Sequence, residues 1–165
     1  MTSGGGFWSE ADRAHLSRAV ELATANVAEG GGPFGAIVVA ADGTVIGEGQ
    51  NRVTRDLDPS AHAEVQAIRA ACRTVGDFSL AGATLYTSCE PCPMCMATTL
   101  WARIERVFYA ADRHDAARGG FDDRDFYDLF SRPRETWDVK VHALRLPTAE
   151  QPFDAWLSER DRTQY

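Results

Sequence analysis

His62-Ala63-Glu64 and, further along the chain, Pro91-Cys92-Pro93-Met94-Cys95 are the residues of this sequence best suited to do chemistry. Histidine nitrogen and cysteine thiolate are good zinc donors, and a catalytic zinc site takes three protein ligands and leaves the fourth position to water. His62, Cys92 and Cys95 fill three positions, for one Zn2+ per chain. Glu64, two residues after the histidine, is placed to handle the protons of that water, which zinc acidifies enough to act as hydroxide near neutral pH. Either half of the pattern alone has other readings. A lone Cys-x-x-Cys serves a redox pair or half of a structural site, and Cys89 is at hand as a fourth ligand, three residues before Cys92. Glu64 favours the catalytic reading, because a structural site has no use for it. Cys72, among alanines, reads as a small buried hydrophobe.

These ligands need elements to hold them. Ser9-Glu10-Ala11-Asp12 reads as a capped helix start, and Leu16, Ala19, Val20, Ala23 and Val27 come after it at helical spacing up to Gly30-Gly31-Gly32-Pro33. Residues 36–40 are a short apolar strand, 41–43 a turn and 44–50 its antiparallel return, with 52–60 a polar loop. A helix is expected over 62–75, a strand over 84–87, a helix over 93–102, a strand over 106–110 and a helix over 123–131. Residues 139–146 alternate as a strand does, and 153–162 form a last helix. The succession predicts one α/β layered domain over 1–165, with 1–7 a flexible N-terminus and about 148–165 a C-terminal helix and tail. It puts His62 at the first turn of one helix, and Cys92 and Cys95 at the first turn of another. Free N–H groups and partial positive charge there favour thiolate.

The composition narrows the partners. Lysine and arginine number 17 against 24 aspartates and glutamates, a formal net charge of −7 over 165 residues. Lysine occurs once, at Lys140, and no basic cluster stands out, which argues for a small-molecule substrate over nucleic acid. No apolar run reaches the length of a membrane span. The N-terminus lacks the basic and apolar regions of a signal peptide, and paired metal-binding thiols suit a reducing compartment, so a cytoplasmic protein is expected.

His-x-Glu with Pro-Cys-x-x-Cys is the signature of zinc nucleobase deaminases, and the chain resembles the zinc-dependent cytidine deaminase superfamily, within it the small bacterial guanine deaminases. The likeness runs from about Gly31 to Tyr165. It is carried by Gly32-Pro33-Phe34-Gly35-Ala36, Gly47-Glu48-Gly49-Gln50-Asn51-Arg52-Val53, His62-Ala63-Glu64-Val65, the stretch from Tyr86 to Cys95, Trp101-Ala102-Arg103, Gly120-Phe121-Asp122-Asp123 and the terminal Tyr165. Two stretches depart from the family pattern near the expected pocket: Ala97-Thr98-Thr99-Leu100, and the more basic His114-Asp115-Ala116-Ala117-Arg118-Gly119.

The resemblance implies a three-layer αβα fold with a mixed five-stranded sheet, and a homodimer whose C-terminal segment is domain-swapped. It further implies that Asn51 bonds the purine edge and Phe34 packs near the ring. Ala63 joins the pocket, Trp101 contributes to the pocket or the subunit interface, Asp123 acts as a second proton shuttle, and Tyr165 caps the partner's site. The expected reaction is hydrolytic deamination of a free purine base, guanine to xanthine plus ammonia. A nucleoside deaminase (guanosine, adenosine or cytidine) or an aminotriazine deaminase is the alternative within the class. A catalytically silent, zinc-stabilised interaction module is the alternative outside it. For residues without a role in the resemblance the bland reading holds: His15, His114 and His142 are ordinary histidines.

Overall fold

Ser9 opens the first helix as its type and place predict. The Asp12 amide donates to the Ser9 hydroxyl at 3.1 Å, and the Ser9 amide donates to the Asp12 carboxylate at 2.6 Å, a reciprocal capping box. The structure is a computed structural model that describes residues 8–165, so the flexible stretch expected over 1–7 lies outside the described residues. These residues fall into two compact units, one reaching to Tyr127 and the other Asp128–Tyr165.

In the first unit α1 (Glu10–Ala28) is succeeded by the hairpin β1 (Gly35–Val39) and β2 (Val45–Gln50). Then come a single helical turn α2 (Val53–Asp56) within the expected loop, and α3 (Ala63–Val75), which ends on Gly76 in the left-handed conformation at φ 72°. β3 (Thr84–Cys89), α4 (Pro93–Trp101) and β4 (Arg106–Ala111) form a parallel strand–helix–strand unit. α5 (Arg113–Arg118), an element not expected from the sequence pattern, starts on a second capping box, Asp112 with Asp115. α6 (Asp123–Phe130) carries the chain across the boundary between the units.

The strands lie in the order β2-β1-β3-β4, with β1 antiparallel to both neighbours and β3 parallel to β4. Alternation along β1 sorts the core into two layers. Ile37 and Val39 pack with Tyr86, Leu16 and Leu22 on the α1 side. Ala36 and Val38 pack with Leu85, Ala63, Ala67 and Ala71 on the α3 side. The α3 side is held unusually close. A Cβ on Gly49 would stand 2.2 Å from the Ala63 carbonyl oxygen, and one on Gly47 2.3 Å from that of Ala67. Ala63, Ala67 and Ala71 recur every four residues, so a stripe of small side chains on α3 lies over the two glycines of β2. This contact fixes where the N-terminus of α3 stands, and with it His62 and Glu64.

The sheet has four strands, where five were expected. Residues 139–146 form no strand. Val139, Val141 and Leu144 are 70%, 52% and 84% exposed. Alternation makes a segment fit for a strand, but a ladder needs a partner edge, and no described residue pairs with this one. The last helix, α7, is also shorter and earlier than expected, Gln151–Ser158. No helix among the described residues is long and apolar enough to cross a membrane.

Candidate active site

The carboxyl ends of β3 and β4, the end of β2 and the start of β1 all lie at the same end of the sheet, since Gly35 pairs with Gln50 and Cys89 with Ala111. The residues flanking the strands at this end are the chemical ones: Asn51 after β2, Phe34 before β1, Glu90 to Cys92 after β3. Two helix starts close on this end. His62 is the N-cap of α3 and Cys92 the N-cap of α4, and neither side chain caps its own helix.

Instead they meet. His62 Nδ1 lies 3.6 Å from Cys92 Sγ and 3.5 Å from Cys95 Sγ. Ligand atoms of all three fall within 4.8 Å of one another, the one such group among the described residues. A tetrahedral zinc with ordinary bond lengths separates its ligand atoms by about 3.5–3.8 Å, so the donor set fits the ion in type and spacing. The protons fit as well. The neighbouring Cys95 and His62 bring the Cys92 thiol down to about 4, while Cys95, between Cys92 and the Glu64 carboxyl, is pushed far up and keeps its proton. A divalent cation displaces such a proton and takes both thiolates. Cys89 stays out of the group. It is buried, donates toward the Asp112 carbonyl at 3.7 Å, and burial pushes its thiol up to about 12.

Glu64 is 4% exposed, and its Oε2 accepts from Cys95 Sγ at 3.4 Å. Burial pushes its carboxyl up to about 7. A group that titrates near neutral pH suits proton transfer in either direction. A cation held by the neighbouring triad would favour its charged form and so ready it as a base.

A cavity of about 450 Å³ opens on this cluster, lined among others by Phe34, Asn51, His62, Glu64, Phe121 and Asp123. Phe34 and Phe121 meet edge to face, ring centres 4.7 Å apart at 79°, and form an aromatic wall. Asn51 is buried, and its Oδ1 accepts from the Val53 amide at 3.2 Å, which orients the amide with its Nδ2 hydrogens as donors. Asp123, half-buried at the start of α6, has its carboxyl raised by burial and by the neighbouring Cys92 thiolate.

The structure thus brings together seven of the residues singled out from sequence: His62, Cys92 and Cys95 in the triad, and Phe34, Asn51, Glu64 and Asp123 with His62 around the cavity. It does not bring in the other three. Ala63 is fully buried in the core under Gly49. Trp101 is 61% exposed, with the Arg103 guanidinium 5.8 Å over its ring. Tyr165 lies in the second unit. Nor do the two departing stretches line the cavity. Thr99 is buried and donates to the Cys95 carbonyl at 2.8 Å, and the basic stretch forms part of α5. Three residues of the site had no role assigned from sequence, Phe121, Glu90 and Asn26. Phe121 sits in a segment shared with the deaminases, which was its one signal. Asn26 is fully buried near the end of α1. Its Nδ2 donates to the carbonyls of Gly32 and Asn51, both at 2.8 Å, and ties two segments of the cavity wall together.

Comparison with known proteins agrees with this geometry. Residues 9–111 match the family model of the cytidine and deoxycytidylate deaminase zinc-binding region. The chain is 48% identical to guanine deaminase of Bacillus subtilis over 151 residues, 91% of this chain and 96% of that protein. The crystal structure of guanine deaminase from Bacillus subtilis superposes with a TM-score of 0.89 at 47% identity, covering 93% of this chain and 98% of the other. A tRNA-specific adenosine deaminase of Haemophilus influenzae is 40% identical over 120 residues, 70% of this chain and 69% of that protein.

Proposed function

The chain belongs to the family of the cytidine and deoxycytidylate deaminase zinc-binding region, and on that premise we propose that it hydrolyses a free purine base, guanine, to xanthine and ammonia. His62, Cys92 and Cys95 hold the zinc. When bound, the ion supplies a water acidic enough to serve as nucleophile near neutral pH.

The chain's own residues do the rest. The wall of Phe34 and Phe121 receives the flat ring. Asn51, oriented by the bond from the Val53 amide to its oxygen, offers its Nδ2 donors to acceptors on the purine edge. Glu64 takes a proton from water and delivers it to the ring nitrogen beside the carbon that carries the amino group, which makes that carbon more electrophilic. Oxygen bonds to the carbon. Glu64, now unprotonated, takes the remaining proton from that oxygen as the carbonyl forms, the amino group takes a proton from Glu64 or from Asp123, and the C–N bond breaks to release ammonia. Transfers of this kind are each worth about 100- to 10,000-fold. The observation that carries this reading is Glu64, buried beside the ligand triad and lining an aromatic-walled cavity.

The homodimer and the domain swap belong to the same proposal. Tyr165 from one protomer would cover the partner's cavity, its ring over the purine and its hydroxyl toward polar groups. The apolar groups left exposed in the second unit support this. So does the near full-length match to Bacillus subtilis guanine deaminase, which takes in most of that unit, whereas the match to the Haemophilus influenzae adenosine deaminase spans less of either chain. The net charge of −7 also disfavours a tRNA substrate. One deaminase domain over the whole chain and a cytoplasmic location complete the reading, and the four cysteines, all free, are consistent with a reducing compartment.

The test is ammonia release by the zinc-loaded protein from guanine, guanosine, adenosine, cytidine and an aminotriazine. Guanine should lead in kcat/KM. A preference for a nucleoside or the triazine would transfer the same chemistry to that substrate, and no release from any of them would leave the zinc-stabilised interaction module.

A further inference from the structure

We propose that Tyr127, covered by the Arg113 guanidinium that Glu90 holds, is the positioning residue that keeps Asp123 against the metal-ligand loop; this rests on the reading of Asp123 as a proton donor. α6 begins at Asp123, and Tyr127 stands four residues on, one turn along the same face. None of the residues of α6 is buried, and Gly120, at φ 92°, precedes it in the connection from α5. Core packing therefore does little to aim the helix, and discrete contacts must do it.

Tyr127 supplies one at the right place. Its hydroxyl donates to the carbonyl of Pro91 at 2.6 Å, next to the ligand Cys92. The Arg113 guanidinium lies 3.7 Å from the centre of the Tyr127 ring. The same guanidinium pairs with Glu90, Nη2 to Oε1 at 2.6 Å and Nε to Oε2 at 3.1 Å, and the Arg113 amide donates to Oε2 at 3.0 Å. Glu90 itself lines the cavity. Of three consecutive residues, Glu90 is thus bound to the start of α5 and Pro91 to α6, and Cys92 would hold the metal. A cation over an aromatic face and a charge-assisted pair are both directional. Asp123 and the ligand loop are in this way referred to one frame, and a small shift of α6 would move the carboxylate off the leaving amine.

The experiment is a double-mutant cycle on the zinc-loaded, full-length protein, run on whichever base the wild type turns over best. Tyr127→Phe should lower kcat about 10-fold with KM changed less than about 2-fold, since misplacement by about 1 Å can cost up to about 100-fold. Zinc content and thermal midpoint should hold. In an Asp123→Asn background the same change should add less than about 2-fold. Arg113→Gln leaves the hydroxyl in place but removes the cation and its pair with Glu90, and should act in the same direction, by about 3-fold. Equal losses in both backgrounds, or losses that track zinc content or melting, would overturn the proposal and leave Tyr127 a structural residue. Near-normal turnover by Asp123→Asn alone would also overturn it, while leaving the Glu64 chemistry and the choice of base untouched.

Discussion

The two units of the chain use their apolar residues in opposite ways. Up to Tyr127, Ile37, Val38 and Leu85 are fully buried between helices on both faces of the sheet, and the whole ligand triad and cavity lie within that span. In Asp128–Tyr165, α7 has no buried residue, and Leu144, Phe153 and Leu157 are exposed. That unit holds itself together by local contacts: Phe130 edge-on to Trp137 at 5.3 Å, Trp156 against Tyr165 at 6.3 Å, and Arg162 donating to the carbonyls of Leu157 and Glu159. Large exposed apolar groups in one segment mark a surface meant to be covered. The contrast teaches that chemistry and closure are divided along the chain. The first unit assembles the reacting groups, and the second exposes the apolar surface that the proposed reading assigns to a partner protomer.

The sharpest way to break this division is to remove a ligand. Cys95→Ser should lose zinc and lower turnover by about 1,000-fold or more, because without the ion no acidified water forms. Zinc by elemental analysis and ammonia release would check it, and a variant that keeps both would move the metal elsewhere. A smaller effect is expected from the other unit. Deleting residues 163–165 should lower guanine turnover by roughly 10-fold or more through loss of a lid that excludes water, with zinc content and thermal midpoint nearly unchanged. Full activity in the truncated protein would end the division of labour and the claim that the dimer is the catalytic unit.

The smallest effect concerns the stability of the first unit alone. Asp12 joins α1 to the sheet. It accepts from the Tyr86 hydroxyl at 2.5 Å and from the Ser9 amide at 2.6 Å, and these bonds bring its carboxyl down to about 2 while Tyr86 is pushed up to about 12. A depressed carboxyl stabilises the fold above its unfolded pKa and loses that contribution as pH falls through the folded one. Asp12→Ala should therefore cost about 1–3 kcal/mol near neutral pH. The gap to wild type should narrow between pH 4 and pH 2. Urea melts over that range would show it, and a gap independent of pH would mean that packing, not charge, explains the loss.

Much of this was legible in the residues because it is local. Ser9, Gly76, Pro93 and the Cys-x-x-Cys spacing each act within a few positions, and they set the helix starts that hold the ligands. What failed was non-local. Residues 139–146 alternate correctly, but whether an alternating segment becomes a strand depends on an edge elsewhere. Ala63 sits between two site residues, yet a helix turns about 100° per residue, so its side chain enters the core stripe with Ala67 and Ala71. Trp101 could have been placed by the same rule. Six positions after Cys95 it has turned about 240° from the ligand face of α4, and it is exposed. Phe121 and Glu90, which line the cavity, and Asn26, which ties its wall, come from three separate stretches of the chain, and only folding brings them together.

The central claim is that Glu64 moves protons and does not bind metal, and Glu64→Gln tests it most directly. Gln keeps the size of the side chain, but it cannot shuttle a proton. Measured side by side, zinc per chain should stay at about one, while ammonia release from guanine should fall by about 100- to 10,000-fold. Retained turnover, or zinc lost together with activity, would contradict the account.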